Sequence, residues 1–238
     1  MNQHPAFGSA VPADTLGDAA RYALMRRLLP MLRHDMATHL QPIGLLCKVL
    51  DRKLTADQPD IVQIRDGLPK INQLARSAIG SCLGVVGWLA PDGDAGIALA
   101  AGVDECLAML ESNFRFRGFT VRSDLGAAAL PVSQSALREV FTAAMLAASD
   151  SGAGPFELIV HAQVSIAQAV LTIELRPGVG SGCDAETAYR AITWTDVEAL
   201  AQAHGVMLTH AGSVVALTFV ASPELAQPHG CARGEGER

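Results

Sequence analysis

The sequence predicts an α+β protein, a long antiparallel helical hairpin followed by a two-layer α/β sandwich. Apolar residues recur at steps of three and four from residue 24 to 54, and again from 61 to 89. Beyond residue 95, short alternating apolar runs interleave with shorter helical ones. Between the two regimes stands Pro91-Asp92-Gly93-Asp94, a turn-forming break where the period changes.

The first helix is expected over 14–54. Leu24, Leu28, Leu32, Met36, Leu40, Ile43, Cys47, Leu50 and Leu54 mark one apolar seam along it. Pro30 and Pro42 should bend this helix rather than end it, since the seam continues past both. Asp57 and Pro59 make a turn and a new helix start. Over 61–89, Ile61, Ile64, Leu68, Ile71, Ala75, Ala78, Cys82, Val85 and Leu89 then alternate three and four without a miss. A single hairpin leaves its apolar faces half covered. A homodimeric four-helix bundle would cover them; the alternative is that the second domain packs there.

The expected domains are therefore a helical hairpin over 14–90 and a sandwich over 95–222, with loose ends at 1–13 and 226–238. In the sandwich, strands are expected at 96–99, 119–125, 156–164, 169–175, 207–210 and 214–220. Helices are expected at 103–117, 133–149 and 195–204.

Composition narrows the function. Half of the residues are apolar and 18% are charged, which excludes a largely disordered chain. The net charge of −6 argues against a nucleic-acid partner held through phosphates. No apolar run approaches the roughly 18–20 residues that cross a bilayer, and no basic start precedes an apolar core as in a secretory signal. A cytoplasmic protein is expected, with no membrane partner. Five cysteines without paired spacing read as buried reduced thiols, not as metal ligands.

His34 lies off the seam of the first helix. Arg27, His34, Thr38, Gln41, Lys48 and Arg52 fall on one polar strip, interrupted by Leu45. Thr38 is one turn beyond His34, and Asp35 is adjacent in sequence. An exposed imidazole can accept a phosphoryl group on one nitrogen while a carboxylate holds the proton on the other. His39 lies about 140° around the helix, so the two histidines do not share the i, i+4 spacing of a metal pair.

Arg33-His34-Asp35-Met36-Ala37-Thr38-His39-Leu40 resembles the phosphoacceptor motif of bacterial sensor histidine kinases. The resemblance implies that His34 is the phosphoacceptor, Asp35 its acid–base partner, and Thr38 the residue that positions water in dephosphorylation. His39 stands where that family usually has proline. The second domain is similar in layout to the ATP-binding domain of the same kinases. Residues 136–148 resemble the helix of its asparagine box, and Arg176-Pro177-Gly178-Val179-Gly180 resembles its first glycine box.

The departures bear on function. Ala143 and Ala147 stand where the resemblance expects asparagines, and Arg176 where it expects the adenine-reading aspartate. Alanine offers no oxygen to a cation, and arginine offers no acceptor to an amino group. Ser181-Gly182-Cys183-Asp184 is too short for the usual ATP lid. The chain therefore resembles dimeric histidine phosphotransferases, which relay phosphoryl groups between receiver aspartates without ATP. No cofactor or metal is expected on this chain, because magnesium would sit in the acidic pocket of the receiver-domain partner. Arg27, Arg33 and Gln41 are the expected partner-binding residues, with Arg26 beside them. A non-catalytic module docking on a response regulator or kinase, and an atypical ATP-dependent kinase, are the alternatives.

Overall fold

The computed structural model describes residues 13–89, 95–126, 128–151, 156–178 and 190–222, apart from the side chains of Ala13, Asp35, Leu89 and residues 84–87. The chain is α+β, and its contacts divide it into two compact units. One comprises residues 28–92; the other joins the start of the chain, through Arg27, to everything from Gly93 onward.

The first unit is the hairpin. Helix α1 (Ala13–Leu54) runs unbroken through Pro30 and Pro42, and α2 (Ile61–Leu89) through Pro69. Asp60 caps α2, its carboxylate accepting from the Gln63 N–H at 3.0 Å. The two helices lie close together where Gly67 faces Leu50. A methyl group there would come within 2.7 Å of a Leu50 methyl. Further along, Cys82 Sγ lies 4.0 Å from Met36 Sδ.

The expected seams split in two. Leu50 and Ala78 are buried, and Met36, Ile43, Ile64, Ile71, Ala75 and Cys82 are half-buried. Leu40, Leu54, Ile61 and Leu68 of the same seams are roughly half to two-thirds exposed, and Ile79 and Leu83 join them. One hairpin thus satisfies only the inner edge of its apolar stripe, because two helices can each bury one side. Val85 and Leu89 lie where side chains are not described.

The second unit contains β1 (Gly96–Ala98), α3 (Leu99–Phe116), β2 (Thr120–Asp124), β3 (Pro131–Ser133), α4 (Gln134–Ala136), a π-helical turn (Leu137–Phe141), α5 (Thr142–Asp150), β4 (Phe156–Val164), β5 (Gln168–Pro177), α6 (Trp194–Ala203), β6 (Met207–Ala211) and β7 (Val214–Val220). The main sheet has the order β2-β4-β5-β7-β6. β2 lies parallel to β4, and the other neighbours are antiparallel. Its inner face follows the strand period of two: Leu158 and Val160, then Ala169, Leu171 and Ile173, then Val215, Leu217 and Phe219 are all buried. Leu99, Val103, Cys106, Leu110 and Phe114 bury the matching stripe of α3.

Two features depart from expectation. β3 forms a small antiparallel ladder with β1, pairing Ile97 with Val132. Three residues beginning with proline give too short a run to read as a strand. The helix expected over 133–149 is interrupted by the π turn at 137–141, which inserts an extra residue per turn just before α5.

Candidate functional site

His34 is exposed on α1, within the hairpin unit. Among the described residues its imidazole has no hydrogen-bond or ion-pair partner. Thr38 is exposed one turn later, and its Oγ1 donates to the His34 carbonyl at 3.0 Å. That back-bond parks the hydroxyl beside the residue that carries the imidazole. Gln41, Lys48 and Arg52 are exposed along the same strip, and Arg33 is exposed next to His34. Asp35 lies on α1, but its side chain is outside the described residues. His39 is half-buried.

Arg27 corrects the expected strip. It is 4% exposed, and its Nη2 donates to Asp150 Oδ1 at 3.1 Å. A guanidinium committed to a buried carboxylate does not present itself to a partner's acidic pocket. The helical period alone put Arg27 in line with His34, and only tertiary packing decides that the start of α1 is covered.

The expected thiol burial also holds only in part. Cys106 is buried beside α5, and burial pushes its thiol up to about 12, so it stays protonated. Cys47 is exposed and Cys82 half-buried. Cys183 and Cys231 lie outside the described residues. Among the described residues, no group of three or more His, Cys, Asp or Glu could hold a metal ion.

In the second unit, Ala143 and Ala147 are buried in α5 and bring no polar atom. Arg176 projects from the end of β5 and grips Glu174 with two hydrogen bonds, 2.9 Å from Nε and 2.8 Å from Nη2. Each partner reinforces the other's charge, holding Glu174 below the usual carboxylate range and Arg176 above the usual guanidinium value. Val179 and Gly180 of the glycine-rich turn, and Ser181-Gly182-Cys183-Asp184, lie outside the described residues.

Sequence reasoning passed over two carboxylates that organise this unit. Glu139, in the π turn, accepts from Arg21 Nε and pairs with His204 Nε2, each at 2.8 Å. Burial opposes its ionisation, but the hydrogen bonds from His204 and Arg21 outweigh burial and hold its carboxyl below the usual range. Asp150 accepts from Arg27, from Arg117 Nη1 at 2.8 Å, and from the Ile192 N–H at 3.2 Å. The available signal was a charged residue at each end of an otherwise apolar helix, which demands a partner.

No helix among the described residues is long and apolar enough to cross a membrane. No protein-family model and no curated protein match the chain. Among solved structures, it is similar to the Acinetobacter baumannii histidine kinase AdeS, with 17% identity over 74% of this chain and 94% of that one, at a TM-score of 0.38. It is similar to a bacterial phosphotransferase, with 13% identity over 89% of this chain and 98% of that one, at 0.37. A histidine kinase from Burkholderia phymatum shares 17% identity over 79% and 97%, at 0.38.

Proposed function

We propose that the chain is a histidine phosphotransferase of two-component signalling, which accepts a phosphoryl group on His34 from a receiver-domain aspartate and donates it to another. The observation that carries this is the exposed imidazole of His34, without a hydrogen-bond partner among the described residues, with the Thr38 hydroxyl one turn away. A neutral imidazole nitrogen attacks phosphorus of the aspartyl phosphate. The new N–P bond forms as the P–O bond to the aspartate breaks, and the carboxylate leaves as an anion. The ring keeps its proton on the other nitrogen, where Asp35 is the proposed acceptor. Reversal hands the group to a second receiver. Arg33 and Gln41 flank His34 and meet the receiver, whose own magnesium offsets the phosphoryl charge.

Phosphoryl transfer here does not draw on ATP. Ala143 and Ala147 give a metal-bound triphosphate no oxygen ligand, and Arg176 is occupied by Glu174. The working form is a homodimer, since Leu40, Leu54, Ile61, Leu68, Ile79 and Leu83 are exposed along the hairpin and a second hairpin would bury them.

The test is to incubate the chain with a phosphorylated receiver domain and follow acid-labile label on it. Label is expected on the wild type and absent from His34→Ala. Binding without label for every receiver tested would make the chain a docking module instead. Label arriving from ATP alone would make it a kinase.

A further inference from the structure

Within the second unit, residues 13–27 of α1 bury Gly17, Ala20, Leu24 and Arg27, a stripe at steps of three and four. A methyl group on Gly17 would lie 3.3 Å from Ala203 Cβ and 3.8 Å from the Ala199 carbonyl oxygen, so the stripe runs close against α6. Arg21 reaches Glu139 before α5, and Arg27 reaches Asp150 at its end. The two arginines bracket α5. All its residues from Thr142 to Ser149 are buried, although a helix lying on a sheet ordinarily keeps one side in water.

We propose that residues 13–27 form a charge-locked strap over α5, held by Arg21 and Arg27 and able to lift as a unit. The apolar part of the hold is small, because the buried stripe contributes a glycine, an alanine and a single leucine besides Arg27. The carboxylates beneath it do not depend on it. Glu139 keeps His204 if the strap lifts, and Asp150 keeps Arg117 and the Ile192 N–H. Lifting therefore leaves no buried carboxylate orphaned, which is the usual obstacle to opening a buried ion pair.

The closed state carries a cost that opening removes. Among the described residues Arg27 Nε is buried without a partner, and Arg27 shares one carboxylate with Arg117. Closure thus buries two guanidinium groups against a single acid, and water would rehydrate Arg27 on release. Strong local charge pairing over little apolar area makes a contact that opens separately from the core. The strap gives the sandwich a face covered by its own chain, which lifting would bare between Glu139 and Asp150.

Hydrogen exchange on the full chain tests this, comparing wild type with Arg21→Met/Arg27→Met, which keeps side-chain bulk and removes both charges. Amides over 14–27 are expected to be protected in the wild type and to exchange at least about tenfold faster in the variant, with β4, β5 and α3 unchanged. Unchanged protection over 14–27 would mean that packing, not charge, holds the segment, and would overturn the proposal. Faster exchange throughout the sandwich, or failure of the double variant to fold, would also overturn it, because the segment would then be core. Arg21→Met alone, at the more exposed of the two pairs, is expected to give a smaller loss confined to the same amides.

Discussion

Gly102 is buried in α3 against the π turn, and the space for its missing side chain is already taken. A methyl there would collide with a Leu137 methyl and lie 2.9 Å from Ile97 Cγ2. Leu137 is fully buried and cannot move away cheaply, whereas Ile97 is half-buried and has more room to give. Gly102→Ala is expected to cost about 1–3 kcal/mol, read as a lower urea midpoint at unchanged slope. Thr38 sits at the opposite extreme of exposure. Thr38→Ala should leave stability within about 0.5 kcal/mol, since the hydroxyl only back-bonds to the helix. If Thr38 positions water for hydrolysis, the same change should lengthen the lifetime of label on His34, followed by its decay after receiver removal.

Helix α6 shows how a few polar atoms set an element's start. Thr193 Oγ1 accepts from the Asp196 N–H at 3.3 Å, and the Asp196 carboxylate accepts from the Thr193 N–H at 2.9 Å, a reciprocal capping box. Asp196 also accepts from the Thr193 hydroxyl at 2.7 Å and from Arg190. Burial works against its charge, but the Thr193 side chain and backbone and then Arg190 outweigh burial and hold its carboxyl below the usual range. Thr193→Ala removes one cap acceptor and one donor to a buried carboxylate. A loss of about 1–2 kcal/mol is expected, measured by chemical denaturation.

At the scale of the whole molecule, Glu139 and Asp196 tie stability to pH. Both have folded values below their unfolded ones, so the unfolded chain binds more protons in mild acid. Their contribution is complete above the unfolded carboxylate values and is lost as pH falls through the folded ones. The urea midpoint should stay flat from pH 7 to about 5 and drop below about pH 4, with a shallower drop in Glu139→Gln. A midpoint that rises on acidification would contradict this sign. Assembly is the other whole-molecule property. For the proposed homodimer, Leu68→Glu/Ile79→Glu places charge on the exposed stripe of α2 and is expected to lower the sedimentation mass to that of a monomer without loss of helix content.

The sequence by itself determined the α+β class, the two long helices within a residue or so of their ends, and the strands of the main sheet. Period is a local property, and side chains at steps of three and four or of two declare it without reference to neighbours. It also placed His34 and Thr38 together, since one helical turn fixes their adjacency. Tertiary structure alone decided that Arg27 is buried while His34, one heptad later on the same strip, is exposed. It likewise decided that one seam has an inner and an outer edge, and that Glu139 and Asp150 tie the start of α1 to the sandwich. Burial and ion pairing depend on groups more than a hundred residues apart in the chain, and no local pattern records which of them will meet.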